Sequence, residues 1–452
     1  FDFKSVATGY NLAHNKTALQ FIGGGYSSAE DYQFTYDDTT YNRNNNNMDQ
    51  TFFGSRMQYR PSLKTIVKNS VFLSKSDRGV AGSISFPSPH AKRINTLSLI
   101  SASLVRLLPS GHIRVHISRR ANDEQYTDPD LSDDSRHEVS AHALKLNYNQ
   151  RFLKQLKAFT ALELRSEMIK SNDVGNHNRT LSAITASLTF TVLPSVVIRP
   201  NLRVDGGASF RETTTDLYVQ TKVPVLGLIR GRMGNGFRLP TFNDLFWPTG
   251  SYAEGNPNLK SEQSNYFSFG TERNFSNGSL VSLEWRERRT NNLIAWTAGD
   301  DFVWRPMNVD KTLRKSYSIS FRAPFMTQSL AVSGYLTGNE INDLANDKSL
   351  PYVPTHTGQL LLQYSWASGT LDIQTYYSGK RYYSGYDDDY NPIDINIAAF
   401  TNVNLGMHVS MPGWNALRLH FTIENMLGAD TSFFPEYPEP GLRVNGGISI
   451  QL

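Results

Sequence analysis

His112-Ile113-Arg114-Val115-His116-Ile117-Ser118 carries an apolar side chain at each odd position and a polar one at each even position. Successive side chains of a strand point to opposite faces, so this period of two gives one dry face and one wet face. Leu417-Arg418-Leu419-His420-Phe421-Thr422-Ile423-Glu424 obeys the same rule. In Val281-Ser282-Leu283-Glu284-Trp285-Arg286 the dry face includes a Trp, and Leu162-Glu163-Leu164-Arg165 repeats the pattern. Such segments suit a wall between lipid and a water-filled lumen, with the charged residues facing the lumen. A β-sandwich or a propeller would alternate too, so the period alone leaves the class open.

The spacing of turns narrows it. Strand-like runs recur along the whole chain, about 21 in all. Tight turns such as His14-Asn15-Lys16, Pro61-Ser62-Leu63, Leu108-Pro109-Ser110-Gly111, Ser276-Asn277-Gly278 and Ala367-Ser368-Gly369 join alternate pairs. Longer connections of about ten to twenty residues, the first an Asn/Asp/Tyr-rich stretch at 27–47, join the others, as in a membrane barrel with short periplasmic and long external ends. A propeller would show a shared motif every 40 to 50 residues or so, and the sequence carries none. Bacterial single-chain barrels have an even number of strands, so the odd count places one strand ahead of Phe1. The expected fold is all-β, a large antiparallel transmembrane β-barrel of about 22 strands. It takes residues 1–452 as one domain.

Composition agrees with that class. The 452 residues are 39% hydrophobic with a mean hydropathy of -0.42, and no apolar run approaches the roughly 18 to 20 residues of a spanning helix. Yet aromatics reach 12%, with 22 Tyr and 25 Phe, material for interfacial girdles around a wet lumen. There is no cysteine, which excludes disulfides and thiolate metal sites. The net charge of +4 comes from both signs mixed along the chain, without the clustered basic stripe that nucleic acid requires. Phe1-Asp2-Phe3-Lys4 shows neither the charged nor the apolar region of a signal peptide.

One connection is unlike a plain solvated loop. Gly236-Phe237-Arg238-Leu239-Pro240 opens it and Asn256-Pro257-Asn258-Leu259, followed by Glu262, closes it. Both ends are turn-rich, and the middle is aromatic and apolar. These paired boxes resemble those of TonB-dependent outer-membrane transporters. The end of the chain resembles that family too, with Ile423-Glu424-Asn425-Met426-Leu427-Gly428, a Pro-rich loop, and Pro440-Gly441-Leu442-Arg443 before the closing strand. The final Ser449-Ile450-Gln451-Leu452 departs from it by not ending in an aromatic residue.

The resemblance implies a 22-stranded barrel in the outer membrane of a Gram-negative bacterium, embedded in lipid, that imports a scarce, bulky nutrient with energy from TonB. The family's plug domain and its TonB-contacting segment are not among these residues, so the chain reads as the barrel portion of a longer protein. A surface lipoprotein is a further partner the family allows. For cargo, haem is disfavoured because no His lies between Phe237 and Leu259 to supply an axial imidazole. Cobalamin is the expected cargo and a ferric siderophore the close alternative.

Candidate site residues follow from chemistry. Phe242, Phe246, Trp247 and Tyr252 could wall a large ligand, or could pack their loop against its neighbours. Tyr383 and Tyr386, with Tyr382 and Tyr390 around Asp387-Asp388-Asp389, could stack a planar ligand or form a rim. Asp128, Asp130, Asp133 and Asp134, close behind Asn122-Asp123-Glu124, could offer oxygens to calcium, or could be a solvated acidic loop. No resident cofactor is expected besides that ion. Catalysis has little support: Glu163 and Glu167 lie about 13 Å apart on a strand, too far for a glycosidase pair. Glu284 and Glu287 face opposite sides, and the glycines of Gly231-Arg232-Met233-Gly234-Asn235-Gly236 precede no helix that could cradle phosphate. The competing classes are a passive porin and, further off, a secreted all-β carbohydrate-binding protein.

Overall fold

The computed structural model describes residues 2–36, 38–250, 253–299, 301, 303–325, 329–344, 348–386 and 392–451. One antiparallel sheet of 22 strands takes in nearly all of the regular structure. One of those strands, Lys348–Ser349, is a two-residue piece beside Leu330–Asp343. Removing it leaves 21 long strands among the described residues, the number read from the periodicity. Each long strand pairs with the next in sequence, from Lys4–His14 and Thr17–Ser28 round to Trp414–Glu424 and Arg443–Ile450. Two small ribbons stand outside the wall, Tyr32–Tyr36 with Thr39–Arg43 and Arg381–Tyr386 with Pro392–Ile397.

The register makes the alternation three-dimensional. Leu162 lies opposite Leu146 on one side and Ile184 on the other, and Leu164 lies opposite Leu144. All five side chains are exposed, forming an apolar band that faces outward into lipid. One residue along, Glu163 pairs with Lys145 at 3.2 Å and Arg203 at 3.6 Å, and Glu167 pairs with Arg165 and Arg179. The charged face is therefore the inner one. Apolar side chains are mostly outside and very few are buried, the reverse of a water-soluble fold. Exposed aromatics gather next to the tight turns, among them Tyr10, Tyr59, Tyr148, Phe325 and Trp414, as a girdle at one membrane interface.

The expected rule of short turns and long loops needs one correction. At the long-loop end, the connections at 129–132, 172–174, 207–210 and 299–303 are short. The strands that feed several of them are correspondingly long: Gly111–Asp128 has 18 residues and Asp133–Arg151, Gly175–Leu193 and Leu280–Ala298 have 19 each. Spanning the membrane takes only about 9 to 11. Polar residues such as Asn122-Asp123-Glu124 thus continue the ladder above the membrane instead of forming a loop, because backbone pairing does not depend on which solvent bathes the side chains.

Candidate functional site

The loop at 239–261 joins Gly227–Arg238 to Glu262–Asn274 and contains a short helix, Phe242–Phe246, that the sequence reading passed over. The Thr241 hydroxyl oxygen accepts from the Asp244 backbone N–H at 3.1 Å, while the Asp244 carboxylate accepts from the Thr241 backbone N–H at 2.9 Å. This reciprocal cap satisfies two amide donors that a helix start leaves open. The buried Asp244 also accepts from Trp296 Nε1 at 3.2 Å and lies 3.8 Å from the Arg238 guanidinium.

Arg238 then ties the start of the loop to its end. It donates to Glu262 Oε1 at 2.6 Å, and the same oxygen accepts from the Ile294 backbone N–H at 2.9 Å. Arg238 and Glu262 are register partners on adjacent strands. Within the loop, Asn256 N–H donates to the Asp244 carbonyl at 2.8 Å, and the Asn256 amide donates to the Pro306 carbonyl at 3.1 Å. Asn308 brackets Lys260, accepting from its N–H and donating to its carbonyl. The two boxes are thus one polar knot that folds the loop onto the strands Leu280–Ala298 and Trp304–Phe325.

That knot sends the aromatic middle of the loop across the rim. Phe246 stacks on His177, with ring centroids 3.7 Å apart and planes within 5°. The Arg179 guanidinium lies 4.9 Å over Phe242 and donates to the Pro240 carbonyl at 2.7 Å. His177 and Arg179 belong to Gly175–Leu193, from which two intervening strands separate Gly227–Arg238. Phe242 and Phe246 therefore pack their loop against its neighbours. Trp247 stays 38% exposed and meets Trp296 edge-on at 6.3 Å, so it offers a free aromatic face. Tyr252 lies outside the described residues.

A second aromatic group forms where other long loops meet. Tyr383 stacks on Tyr352 at 5.9 Å, Tyr352 meets Phe434 edge-on at 5.2 Å, and Phe434 meets Phe433 at 5.2 Å. The buried Arg381 anchors them, donating to the Ser432 carbonyl at 2.6 Å and lying 4.9 Å over Phe433. Burial pushes the Tyr352 and Tyr383 hydroxyls above their ordinary range, so both are neutral donors near pH 7. The Tyr386 side chain and Asp387-Asp388-Asp389 lie outside the described residues. Tyr352, Phe433, Arg381, His177 and Trp296 were not singled out from sequence. Each gains its place from a partner roughly 30 to 70 residues away or more, which local patterns do not register.

The four aspartates share one hairpin but have separate partners. Asp128 is buried and accepts from the Asp130 backbone N–H at 3.1 Å. Asp130 pairs with His90 at 2.9 Å, Asp133 accepts from Ser135, and Asp134 accepts from Gln125. Among the described residues, no group of three or more His, Asp or Glu converges as a metal would require.

Arg305 clamps the loop at 239–261 to the next hairpin, with Glu254 at 3.0 Å and Asp301 at 2.9 Å. Its hydrogen bonds hold both carboxyls below their usual range. A carboxyl whose folded pKa is depressed contributes stability that is present above its unfolded value and lost as pH falls through the folded one. The clamp is thus expected to hold at neutral pH and to open below the ordinary carboxylate range. Backbone amides around Glu254 should lose protection from hydrogen exchange as pH is lowered past the ordinary carboxylate range, and Arg305→Gln should remove that pH dependence.

A profile described as TonB dependent receptor-like, beta-barrel, matches residues 1–426. The chain is 29% identical over 191 residues to the vitamin B12 transporter BtuB of Photobacterium profundum, a match covering 40% of this chain and 30% of that protein. The matched part therefore spans less than a third of the relative's length. Among solved structures, the ferric enterobactin receptor of Pseudomonas aeruginosa superposes with a TM-score of 0.82 at 12% identity, over 99% of this chain and 77% of that one. The copper transporter OprC gives 0.80 at 12% identity, over 100% and 79%. At such identities these likenesses bear on the fold alone. The chain is a β-barrel of the TonB-dependent receptor family, transporters and receptors of the Gram-negative outer membrane.

Proposed function

We propose that the protein imports a scarce, bulky nutrient across the outer membrane with energy delivered through TonB, and that its cargo is cobalamin. The observation that carries the reading is the pair of aromatic surfaces at the long-loop rim, Trp247 beside Trp296 and the Tyr352, Tyr383 and Phe434 group. An aromatic wall with a few placed polar groups suits the broad faces of a large ligand. The similarity to a vitamin B12 transporter supports cobalamin among the family's cargoes. A ferric siderophore is the next choice, with which the likeness in fold to a ferric enterobactin receptor is compatible. Calcium at the acidic hairpin belongs to the same proposal, as an ion that would have to draw the aspartates away from their separate partners to order the rim.

The full-length protein in detergent, titrated with cyanocobalamin with and without calcium, tests this. Saturable binding in the submicromolar range is expected, weakened about tenfold or more by Trp247→Ala, since an aromatic anchor contributes 2 kcal/mol or so. Calcium should tighten binding, and Asp130→Asn with Asp134→Asn should remove that effect. Binding of a ferric siderophore and not of cobalamin would replace the cargo. If neither binds, a passive porin becomes the better reading.

A further inference from the structure

The lipid-facing side of the wall carries a polar row inside its apolar band. Ile117, Leu144 and Leu164 are register partners on three adjacent strands and are all exposed on that side. Residues two apart on a strand share a face. Two residues nearer the external rim, the register sets Arg119 opposite His142 and His142 opposite Ser166. These three are exposed as well, so they point outward, away from the lumen and from whatever fills it.

Their height follows from strand geometry. His142 lies six residues beyond Tyr148 of the girdle, about 16 Å higher at a rise of 3.4 Å and a tilt near 40°. Lys75, Asp123, Glu138 and Lys170 share the outward face four residues further on, which adds about 10 Å. That charged row therefore stands near the top of an apolar band of roughly 25 Å, and Arg119 and His142 lie within it.

A cation in lipid is costly unless a countercharge meets it. Elsewhere on the outward face the wall supplies one: Arg289 has Glu287 at 3.0 Å and Lys315 has Glu340 at 3.6 Å. Among the described residues Arg119 has a long contact to the Ser98 hydroxyl, at 3.4 Å, and no carboxylate. Asp123 and Glu138, above it, are held by Arg136 at 3.1 and 3.6 Å. Towards the membrane centre the wall is hollowed into a groove of about 490 Å³ between Ile100, Ala102, Ile117, Leu144 and Leu164, with Arg119 and His142 also lining it. Ala102 is the register partner of Ile117, and its single methyl leaves that side of the groove low.

We propose that this patch holds one phosphorylated lipid of the outer leaflet. Its phosphate accepts from the Arg119 guanidinium and a His142 N–H, and one acyl chain lies along Ile117, Leu144 and Leu164. The order is that of the leaflet, headgroup towards the long-loop end and chain towards the centre. Arginine suits the upper place, since its stem can lie on apolar surface while its head reaches up to the headgroups, where the guanidinium fork takes phosphate oxygens two at a time. An imidazole presents an N–H in either protonation state. The site rests on the outer face of the wall and is independent of the cargo.

The full-length protein in detergent, mixed with an excess of lipid A, the phosphorylated glycolipid of the Gram-negative outer leaflet, tests this by native mass spectrometry. One retained lipid A per barrel is expected, and Arg119→Gln with His142→Gln should lower that occupancy at least fivefold. Ala102→Phe, which fills the groove and keeps both polar groups, should lower it too. Arg289→Gln, whose arginine is already matched, should leave it unchanged. Lipid A stripped of its phosphates should be held no better by the parent than by the double variant. Equal occupancy in the parent and the double variant, or equal retention of the phosphate-free lipid, would overturn the site. So would displacement of lipid A by an equal concentration of glucose 1-phosphate, because a free phosphate would then suffice.

Discussion

Leu162→Arg is expected to destabilise the barrel by about 2–4 kcal/mol, the cost of a cation near the middle of the lipid face. Leu162 is 46% exposed, and its register partners Leu146 and Ile184 are exposed apolar residues as well, so no carboxylate stands beside the new charge. The neighbouring position should respond oppositely. Glu163 faces the lumen between Lys145 and Arg203, where water and countercharge remain, so Glu163→Gln should cost well under half as much. Reversible denaturant unfolding in lipid vesicles measures both. Equal costs at 162 and 163 would mean that the inward and outward faces have been assigned wrongly.

Glu262→Ala should be the most damaging single change at the rim, at about 2–3 kcal/mol. The carboxylate accepts from both Arg238 and the buried Ile294 N–H, so its loss leaves a charge and a backbone donor without their acceptor. The larger figure for a fully buried ion pair does not apply, because the Arg238 side chain is 46% exposed and water recovers part of the loss. Glu262→Gln, which can still accept from Ile294, should lose about half. Limited proteolysis should then cut within 239–261 in the Ala variant before the wall itself unfolds. A variant as resistant as the parent would show that the helix cap and the Asn256 contacts hold the loop unaided.

The wall was legible because its rule is local. A period of two in Leu162-Glu163-Leu164-Arg165 states which residue meets lipid, and the register bears that out residue by residue. What stayed hidden depends on partners far along the chain. His177 gives no sign in sequence that it covers Phe246, and Asp244 none that it bonds Trp296. The helix Phe242–Phe246 did leave a trace, Thr241 followed three residues later by Asp244. A helix of five residues is too short to show a period, and so the cap was its only mark. Polar stretches such as Asn122-Asp123-Glu124 misled for a physical reason: side chains report the solvent around them, whereas pairing is a property of the backbone.

The unequal lengths of the strands shape the mouth of the barrel. At about 3.4 Å per residue and a tilt near 40°, an 18-residue strand stands about 47 Å high and an 11-residue strand about 29 Å. Gly111–Asp128 and its neighbours make one stretch of the wall tall, while His356–Trp366, Trp414–Glu424 and the strands between them make another low. Leu280–Ala298 and Trp304–Phe325, with 19 and 22 residues, make a second tall stretch, so the height of the wall rises twice around the barrel. Where the strands are short, long connections fold over the wall, among them the loops that bring Tyr352, Tyr383 and Phe434 together. The outline of the mouth is set by nothing more than how far each strand continues beyond the lipid.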